Sequence, residues 1–396
     1  MQHRPPVGLN VHVYPSPFEY ESRILKITQS LVSHSVVERI LVIATAKEGL
    51  PRQQVLNDRR EVLRIETRIK GNRLFPKILQ FLEWSTRVFF SLRRESLEML
   101  NCHSLSVLPL CVVLKWWHKS LLIYEPHELE TETVSSKGTR KRIAKWVEGS
   151  IIGHADQIIV VSNSISESYR RDYKLANVPV ILNVPEIQEH HTPTPNKYLR
   201  DYFDIPDKHL VFMYQGVLNI GRGIRLLLDA FSQVPLDRHL VFLGFGPLID
   251  EIKAETVLRP NIHFHVAVSP DKIMGLTRGA DVGLCMLTDD CLSYRYSLAN
   301  KVFQYLHAEI PVFASSILVD TGKLLERYNC GWRVSNESGE IADCVTSIDL
   351  EAIEIRRSGT LLIREKFQWK HEEEKLSLIY RNLLASMGLN DFEFEK

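Results

Sequence analysis

The run His209-Leu210-Val211-Phe212-Met213-Tyr214 leads straight into Gln215-Gly216-Val217-Leu218-Asn219-Ile220-Gly221-Arg222-Gly223-Ile224, after which Ile224, Leu227, Leu228 and Phe231 recur at helical spacing. A near-continuous apolar run suits a parallel strand covered on both faces. Apolar residues at the spacing that follows give a helix one buried stripe. The unit is therefore strand, glycine-rich turn, helix. Its glycines let the backbone turn tightly, and the helix start presents unpaired N–H groups that suit a phosphate. Arg222 supplies a forked cation for the same anion. Taken alone, the stretch fits a plain glycine turn with a solvated arginine equally well.

The same rhythm fills the chain. In the first half, residues 7–13, 40–45, 62–65, 121–124, 157–162 and 178–182 read as strands, and 21–33, 75–100, 137–153 and 164–173 as helices. In the second half, residues 239–243, 262–265, 282–286 and 312–314 are further apolar strands, with helices starting near Arg222, Pro247, Pro270 and Leu298. Alternating strands and helices imply α/β domains with parallel sheets and right-handed crossovers. Two Rossmann-like, doubly wound domains are expected to face each other across a cleft at the carboxyl ends of their strands. The polar, proline-punctuated His190-His191-Thr192-Pro193-Thr194-Pro195-Asn196-Lys197 reads as a linker. The expected parse is residues 1–188, 189–365 and a closing segment 366–396.

Composition narrows the function. The 396 residues carry 49 Lys+Arg against 48 Asp+Glu, with 44% hydrophobic and 24% charged residues. That is the balance of an ordinary globular protein and excludes a disordered or collagen-like chain. Bulk electrostatics gives no support to nucleic-acid binding. Charge is nonetheless uneven: residues 1–190 hold 26 Lys+Arg and 20 Asp+Glu, leaving 23 and 28 for residues 191–396. The six cysteines form no CxxC pair, so buried thiols in a reducing cytoplasm are expected and a metal site is not. The N-terminus lacks the apolar core of a signal peptide. The most apolar stretch, residues 106–124, is broken by Lys115, His118 and Lys119 and does not reach a membrane span.

Two further motifs accompany the first. In Tyr294-Arg295-Tyr296-Ser297-Leu298-Ala299-Asn300-Lys301-Val302-Phe303-Gln304-Tyr305-Leu306 a second helix begins just after a strand. Lys301 and Gln304 share one face of it while Val302, Phe303 and Leu306 turn to the sheet. A cation one turn from an amide suits a diphosphate with its ribose. The turn Leu243-Gly244-Phe245-Gly246-Pro247-Leu248 lacks the third glycine and the distant acidic residue of a nicotinamide site. It can still bring backbone close to a flat base.

In order and spacing these pieces resemble the family-4-type glycosyltransferases of the GT-B fold, over nearly the whole second half. G-V-L-N-I-G-R-G-I is similar to their G-R-L-x-x-x-K-G phosphate motif, with Val217 in place of the arginine and Arg222 in place of the lysine. S-L-A-N-K-V-F-Q-Y-L-H-A-E-I-P-V resembles their donor helix. The family's paired glutamates fall on Tyr296 and Gln304, and its usual glycine before the I-P-V strand falls on Glu309. The resemblance implies a donor site of Gly216, Val217, Arg222, Gly244, Gly246 and Val266. To these it adds Ser297, Leu298, Ala299, Asn300, Lys301 and Gln304, the last able to accept a ribose hydrogen bond.

In the first half, Glu21-Ser22-Arg23-Ile24-Leu25-Lys26 resembles the family's S-R-V-L-K segment, which makes Arg23 an acceptor-side candidate beside the alternative of an exposed helix arginine. Asn101-Cys102-His103-Ser104 and Tyr124-Glu125-Pro126-His127-Glu128-Leu129 sit where strands should end. The second is similar to the family's Y-D-x-H-E-L, whose histidine lines the sugar pocket. The resemblance thus implies His127 and Glu128 as catalytic with Arg222 and Lys301, and Arg23 and His103 on the acceptor side. His127 is expected to donate to a sugar hydroxyl, with Glu128 positioning it or an acceptor. Asn183 matches an asparagine near the family's domain junction, and the last helix matches one that returns to the N-terminal domain. Residues 75–94 are basic, aromatic and amphipathic, suiting a helix packed on the sheet or a surface resting on an anionic leaflet, with Trp116-Trp117 extending it.

The implied function is retaining transfer, of hexosyltransferase type, from a nucleotide-sugar, a UDP-sugar first, to a glycan or lipid-linked acceptor in surface polysaccharide biosynthesis. No metal or other cofactor and no nucleic-acid partner is expected, and the place of action is cytoplasmic or peripheral on the inner membrane face. Two other functions stay open: a nucleotide-sugar epimerase or hydrolase, and an inactive nucleotide-sugar-binding subunit. Loss of both motif glutamates counts against the former and favours the latter.

Overall fold

Strands apolar on both faces need cover above and below, and each half of the chain supplies it from the helices between its strands. A computed structural model describes residues 7–19, 21–71, 73–186 and 197–387. Most of the expected linker (residues 190–196) and the closing residues 391–396 lie outside the described residues. The chain divides into two compact units, Met1–Leu182 with Glu373–Lys396, and Asn183–Glu372.

In the first unit the strands are β1 (Val7–Val13), β2 (Val37–Thr45), β3 (Gln53–Asn57), β4 (Arg60–Ile65), β5 (Met99–Cys102), β6 (Leu121–Tyr124) and β7 (Gln157–Ile158). They pair in the order β3-β4-β2-β1-β5-β6-β7, with only β3 antiparallel to its neighbour β4. The structure departs from the sequence reading at several points, β3 among them, since no strand was expected at residues 53–57. The helix expected over residues 75–100 runs Leu74–Leu92, and the chain then turns so that β5 enters the sheet between β1 and β6. Met99, Leu100 and Cys102 are fully buried there, so strand pairing overrides the helical period. The expected strand 178–182 is reduced to a single parallel bridge, Val160 to Val180. The apolar stretch after Ser106 divides into a helix, Leu108–His118, closed by left-handed Lys119, and β6. From Glu373 onward the last helix, Trp369–Ser386, belongs to this first unit, burying Leu376, Tyr380 and Leu384.

In the second unit β8 (Leu210–Val217), β9 (Arg238–Phe245), β10 (Ile262–Val266), β11 (Val282–Cys285), β12 (Val312–Ser315) and β13 (Gly331–Val334) form a parallel sheet ordered β10-β9-β8-β11-β12-β13. The order reverses between β8 and β11, which makes their carboxyl ends the natural ligand position of a doubly wound sheet. Its core gathers Phe212, Tyr214, Leu227, Phe231, Phe242 and Phe313.

At the opposite ends of these strands, His209, His239 and His263 hydrogen-bond in series at 2.8 and 2.9 Å with their rings stacked. Burial holds His239 and His263 down at about 4, with the neighbouring histidines and Arg200 adding to the effect at His239. The unfolded chain takes up these protons near pH 6.5, so below that pH it binds more protons than the folded chain. This stability is complete above pH 6.5 and is lost toward pH 4, at up to about 1.4 kcal/mol per pH unit for a fully buried group. Half-buried His263 contributes less. Urea titrations at pH 7.5, 6 and 5 should show falling stability, with a shallower fall in His239→Asn.

Candidate functional site

Gly216, Gly244 and Val266 stand in one row across β8, β9 and β10. A Cβ on Gly244 would lie 1.9 Å from the Gly216 carbonyl oxygen, so this row closes only with a bare backbone. Val217 and Val266 are exposed at the rim. The following turn is pulled onto the end of β11: Gly223 is left-handed (φ 72°), and a Cβ there would come within 2.6 Å of Met286 Cβ. Thr288 N donates to Gly221 O at 3.1 Å, joining the loops after β8 and β11. Half-buried Arg222 sits between these glycines with its guanidinium carbon 5.2 Å from the centre of the Tyr294 ring.

The helix Asn300–His307 buries Val302, Phe303, Tyr305 and Leu306 and leaves Lys301 and Gln304 half-buried, as its spacing requires. Ser297, Leu298 and Ala299 form the extended entry to it, and the Ser297 hydroxyl donates to Tyr294 O at 2.9 Å. Lys301 Nζ lies 3.6 Å from the centre of the Tyr214 ring and would be 3.6 Å from a Cβ on Gly216. Both cations act on Cys285 at the end of β11. Burial raises that thiol, while Lys301 and Arg222 each act to lower it. Two cations, one from the turn after β8 and one from a helix after β11, thus stand near the switch point, beside two helix starts with outward N–H groups. Gln304 is tied back to β8, its Oε1 accepting from Gln215 Nε2 at 2.7 Å. Asp289 is paired with Arg295 at 2.5–2.6 Å, and Asp290 with Thr288. Among the described residues no group of three His, Cys, Asp or Glu is arranged to hold a metal ion.

The first unit builds a second cluster at its own strand ends. His127, half-buried after β6, meets His103 at 3.1 Å (Nε2 to Nδ1), and His103 Nε2 meets His12 Nδ1 at 2.9 Å. His12 Nε2 reaches Asn10 Oδ1 at 2.7 Å. Asn10 Nδ2 donates to Asn101 Oδ1 at 2.8 Å and to Met99 O at 3.2 Å. Asn101 donates in turn to Glu125 Oε1 at 2.5 Å and to the Tyr380 hydroxyl. Burial lowers His12 and His127 to about 3 and His103 well below its usual value, with Arg23 adding to the last two. Burial also raises Glu125, against the pull of Arg23. Glu130 is pushed up to about 8 by burial and then by Glu128 and Glu148.

Arg23 is buried, not an exposed helix arginine, and its Nη1 donates to Ile181 O at 2.8 Å. Its charge reaches His103, His127 and Glu125. Glu128 is exposed, and His127 is held by His103. The sequence reading missed Asn10, His12, Glu130 and Tyr380, and quoted Asn101 beside His103 without giving it a role. One signal was available: Asn10 and His12 are polar at alternate positions of an otherwise apolar strand.

Residues 34–184 match the family described as Glycosyltransferase Family 4. No curated protein matches the chain in sequence. Among solved structures, sucrose-phosphate synthase from Thermosynechococcus elongatus is similar at 15% identity and a TM-score of 0.79, over 96% of this chain and 100% of that one. Anabaena HepE in complex with UDP and glucose is similar at 16% identity and a TM-score of 0.72, over 96% and 100%. WaaG, a glycosyltransferase involved in lipopolysaccharide biosynthesis, aligns at 13% identity and a TM-score of 0.67, over 94% and 99%. The chain therefore has the two-domain GT-B fold of these proteins over nearly its whole length, and residues 34–184 carry the pattern of Glycosyltransferase Family 4.

Proposed function

We propose that the protein moves a sugar from a nucleotide-sugar, a UDP-sugar first, to a hydroxyl of a glycan or lipid-linked acceptor, with retention of anomeric configuration. One observation carries this reading: Arg222, in the turn after β8 and 5.2 Å from the Tyr294 ring, and Lys301, whose Nζ would lie 3.6 Å from a Cβ on Gly216, stand at the strand ends where the second sheet reverses its order. A leaving diphosphate gains charge as the glycosidic bond breaks, and fixed cations with helix-end amides stabilise that charge most where it develops. Gly216, Val217, Gly244, Gly246 and Val266 would form the base and phosphate rim, with the 297–300 entry, Lys301 and Gln304 beside the ribose. His127, Glu128, Arg23 and His103 would serve the transferred sugar and its acceptor. HepE, solved with UDP and with UDP-glucose, supports a uridine donor. WaaG, involved in lipopolysaccharide biosynthesis, supports a place in surface polysaccharide assembly.

A second reading is a subunit that binds the donor without turning it over, favoured by Tyr296 and Gln304 at the positions of the motif glutamates. A thermal-shift screen of nucleoside diphosphates and nucleotide-sugars should show stabilisation by UDP and a UDP-sugar, through mass action on the folded state. Stabilisation without transfer to any acceptor would select the binding subunit.

For the enzyme, Arg222→Ala should lower turnover by about two to three powers of ten, the effect of losing one preorganised charge-stabilising group. Near-normal turnover would remove Arg222 from this role. With two cations meeting the diphosphate, transfer is expected to proceed unchanged in a chelator.

A lipid-linked acceptor would bring the first unit to a membrane surface. Its helix Leu74–Leu92 buries only Trp84, Val88 and Leu92, while Leu74 and Phe75 are 73% and 70% exposed. An open groove of about 550 Å³ there is lined by Leu74, Ile78, Phe81 and Leu82 with Lys77 and Arg140. Trp117 packs edge-on against Phe89 of the same helix while remaining exposed. Near an anionic leaflet each such cation adds about 1 kcal/mol. Among the described residues no helix is long and apolar enough to cross a membrane. Flotation with anionic liposomes at low salt should carry the protein upward, and Phe75→Glu should leave it at the bottom.

A further inference from the structure

The hydrogen-bond chain in the first unit has a direction, and one unambiguous acceptor sets it. The Met99 carbonyl oxygen can only accept, so the Asn10 side-chain atom facing it at 3.2 Å is the amide nitrogen. The Asn10 oxygen therefore faces His12 Nε2 at 2.7 Å, and that nitrogen carries a proton. A neutral imidazole with Nε2–H has a bare Nδ1. His12 Nδ1 must then accept from His103 Nε2 at 2.9 Å. The same step repeats: His103 Nδ1 is bare and accepts from His127 Nε2 at 3.1 Å.

Neutrality of each ring is what lets the direction pass along the chain, and the surroundings enforce it. His12 and His103 are fully buried. The nearest cation, Arg23, opposes a charge on His103 and His127. The other groups bearing on the cluster are Glu125 and Tyr380 at its inner end, and Tyr14 beside His127, on which Glu21, Glu130 and Glu128 act in turn. Glu125 meets Asn101 and Tyr380, not an imidazole. Tyr14 offers His127 a ring face at 5.4 Å.

We propose that His12 and His103 are positioning residues that transmit the orientation of Asn10 to His127, keeping the His127 proton on Nε2 and leaving Nδ1 bare as a hydrogen-bond acceptor. Toward the substrate His127 then accepts a hydrogen bond through Nδ1, opposite to the donor role its motif implies, while Nε2 donates to His103. The inference rests on the proposed transfer reaction only for what Nδ1 receives, a sugar hydroxyl proton. A site built this way favours a substrate with a hydroxyl at that point over the deoxy analogue, because the lone pair would otherwise lose its partner.

The test is the tautomer itself. In protein labelled with nitrogen-15 at histidine, long-range proton–nitrogen spectra at pH 7 should show His12, His103 and His127 each neutral, with the proton on Nε2. His12→Phe keeps a ring of similar size and removes both nitrogens. It should lower the ratio of the two His127 tautomers about fivefold, the scale of one lost hydrogen bond, while a circular-dichroism melt checks that the variant folds. A wild-type His127 that is protonated on Nδ1, charged or evenly mixed overturns the proposal without any variant. A folded His12→Phe protein with an unchanged His127 ratio overturns it too. No substrate is needed, so a failed transfer assay leaves this result standing, and a wrong tautomer leaves the proposed transfer reaction standing.

Discussion

The placing of two cations near one strand end, where the sheet reverses its order, is the constraint around which the second unit is arranged. Arg222 lies in the turn after β8 and Lys301 in a helix that follows β11, yet both act on the Cys285 thiol. Such a placing is stable without an anion only when the scaffold holds each side chain from behind. Tyr214 and Tyr294 do so, offering each cation the negative face of a ring. The glycines complete the arrangement. Gly223 brings the first turn against Met286, and Gly244 lets the ends of β8 and β9 approach backbone to backbone. Side chains at either point would push the turn away from the neighbouring strand end and Arg222 with it.

The positions where this chain departs from the resembling family have physical accounts of different strength. Glu309 occupies a left-handed conformation, φ 65°, which a glycine adopts without strain. A glutamate there costs about 1 kcal/mol. Its carboxylate pairs with Arg364 and its carbonyl accepts from Arg357 at 3.2 Å, contacts that a glycine could make only in part. Gln304 replaces a carboxylate by an amide that Gln215 holds, and Thr277 holds Gln215 in turn at 2.7 Å. A neutral residue in a polar ladder avoids burying an uncompensated charge beside the sheet. Nothing in the structure explains Tyr296.

Legibility followed locality. The strand-turn-helix at 209–231 could be read because its apolar run, glycines and helical stripe are contiguous, and β8 with the helix Ile224–Phe231 falls there. The placement of Arg222 and Lys301 at the switch point followed from the same signals. β5 was hidden at the end of an apolar helical pattern, because only its pairing with β1 and β6 makes Met99–Cys102 a strand. β3 was hidden by its composition, since Gln53 and Gln54 carry little strand preference and an edge position tolerates them. The histidine chain was illegible for a deeper reason. Its members lie at positions 10, 12, 101, 103 and 127, and no spacing relates them until the sheet brings β1, β5 and β6 side by side.

Net charge and site charge run in opposite directions in the two halves. Residues 191–396 carry an excess of acidic groups, 28 against 23, yet their strand ends present two cations. Residues 1–190 carry an excess of basic groups, 26 against 20, yet their strand ends hold three imidazoles that burial keeps neutral. Local placement therefore decides the chemistry, and the total does not. A diphosphate is recognised by fixed charge, which acts over several ångströms and tolerates small errors of position. A sugar hydroxyl is recognised by one lone pair at hydrogen-bond distance, which requires a ring that is uncharged, in one tautomer and in one orientation. Burial supplies the first of these conditions at His127, and the Asn10–His12–His103 chain supplies the other two.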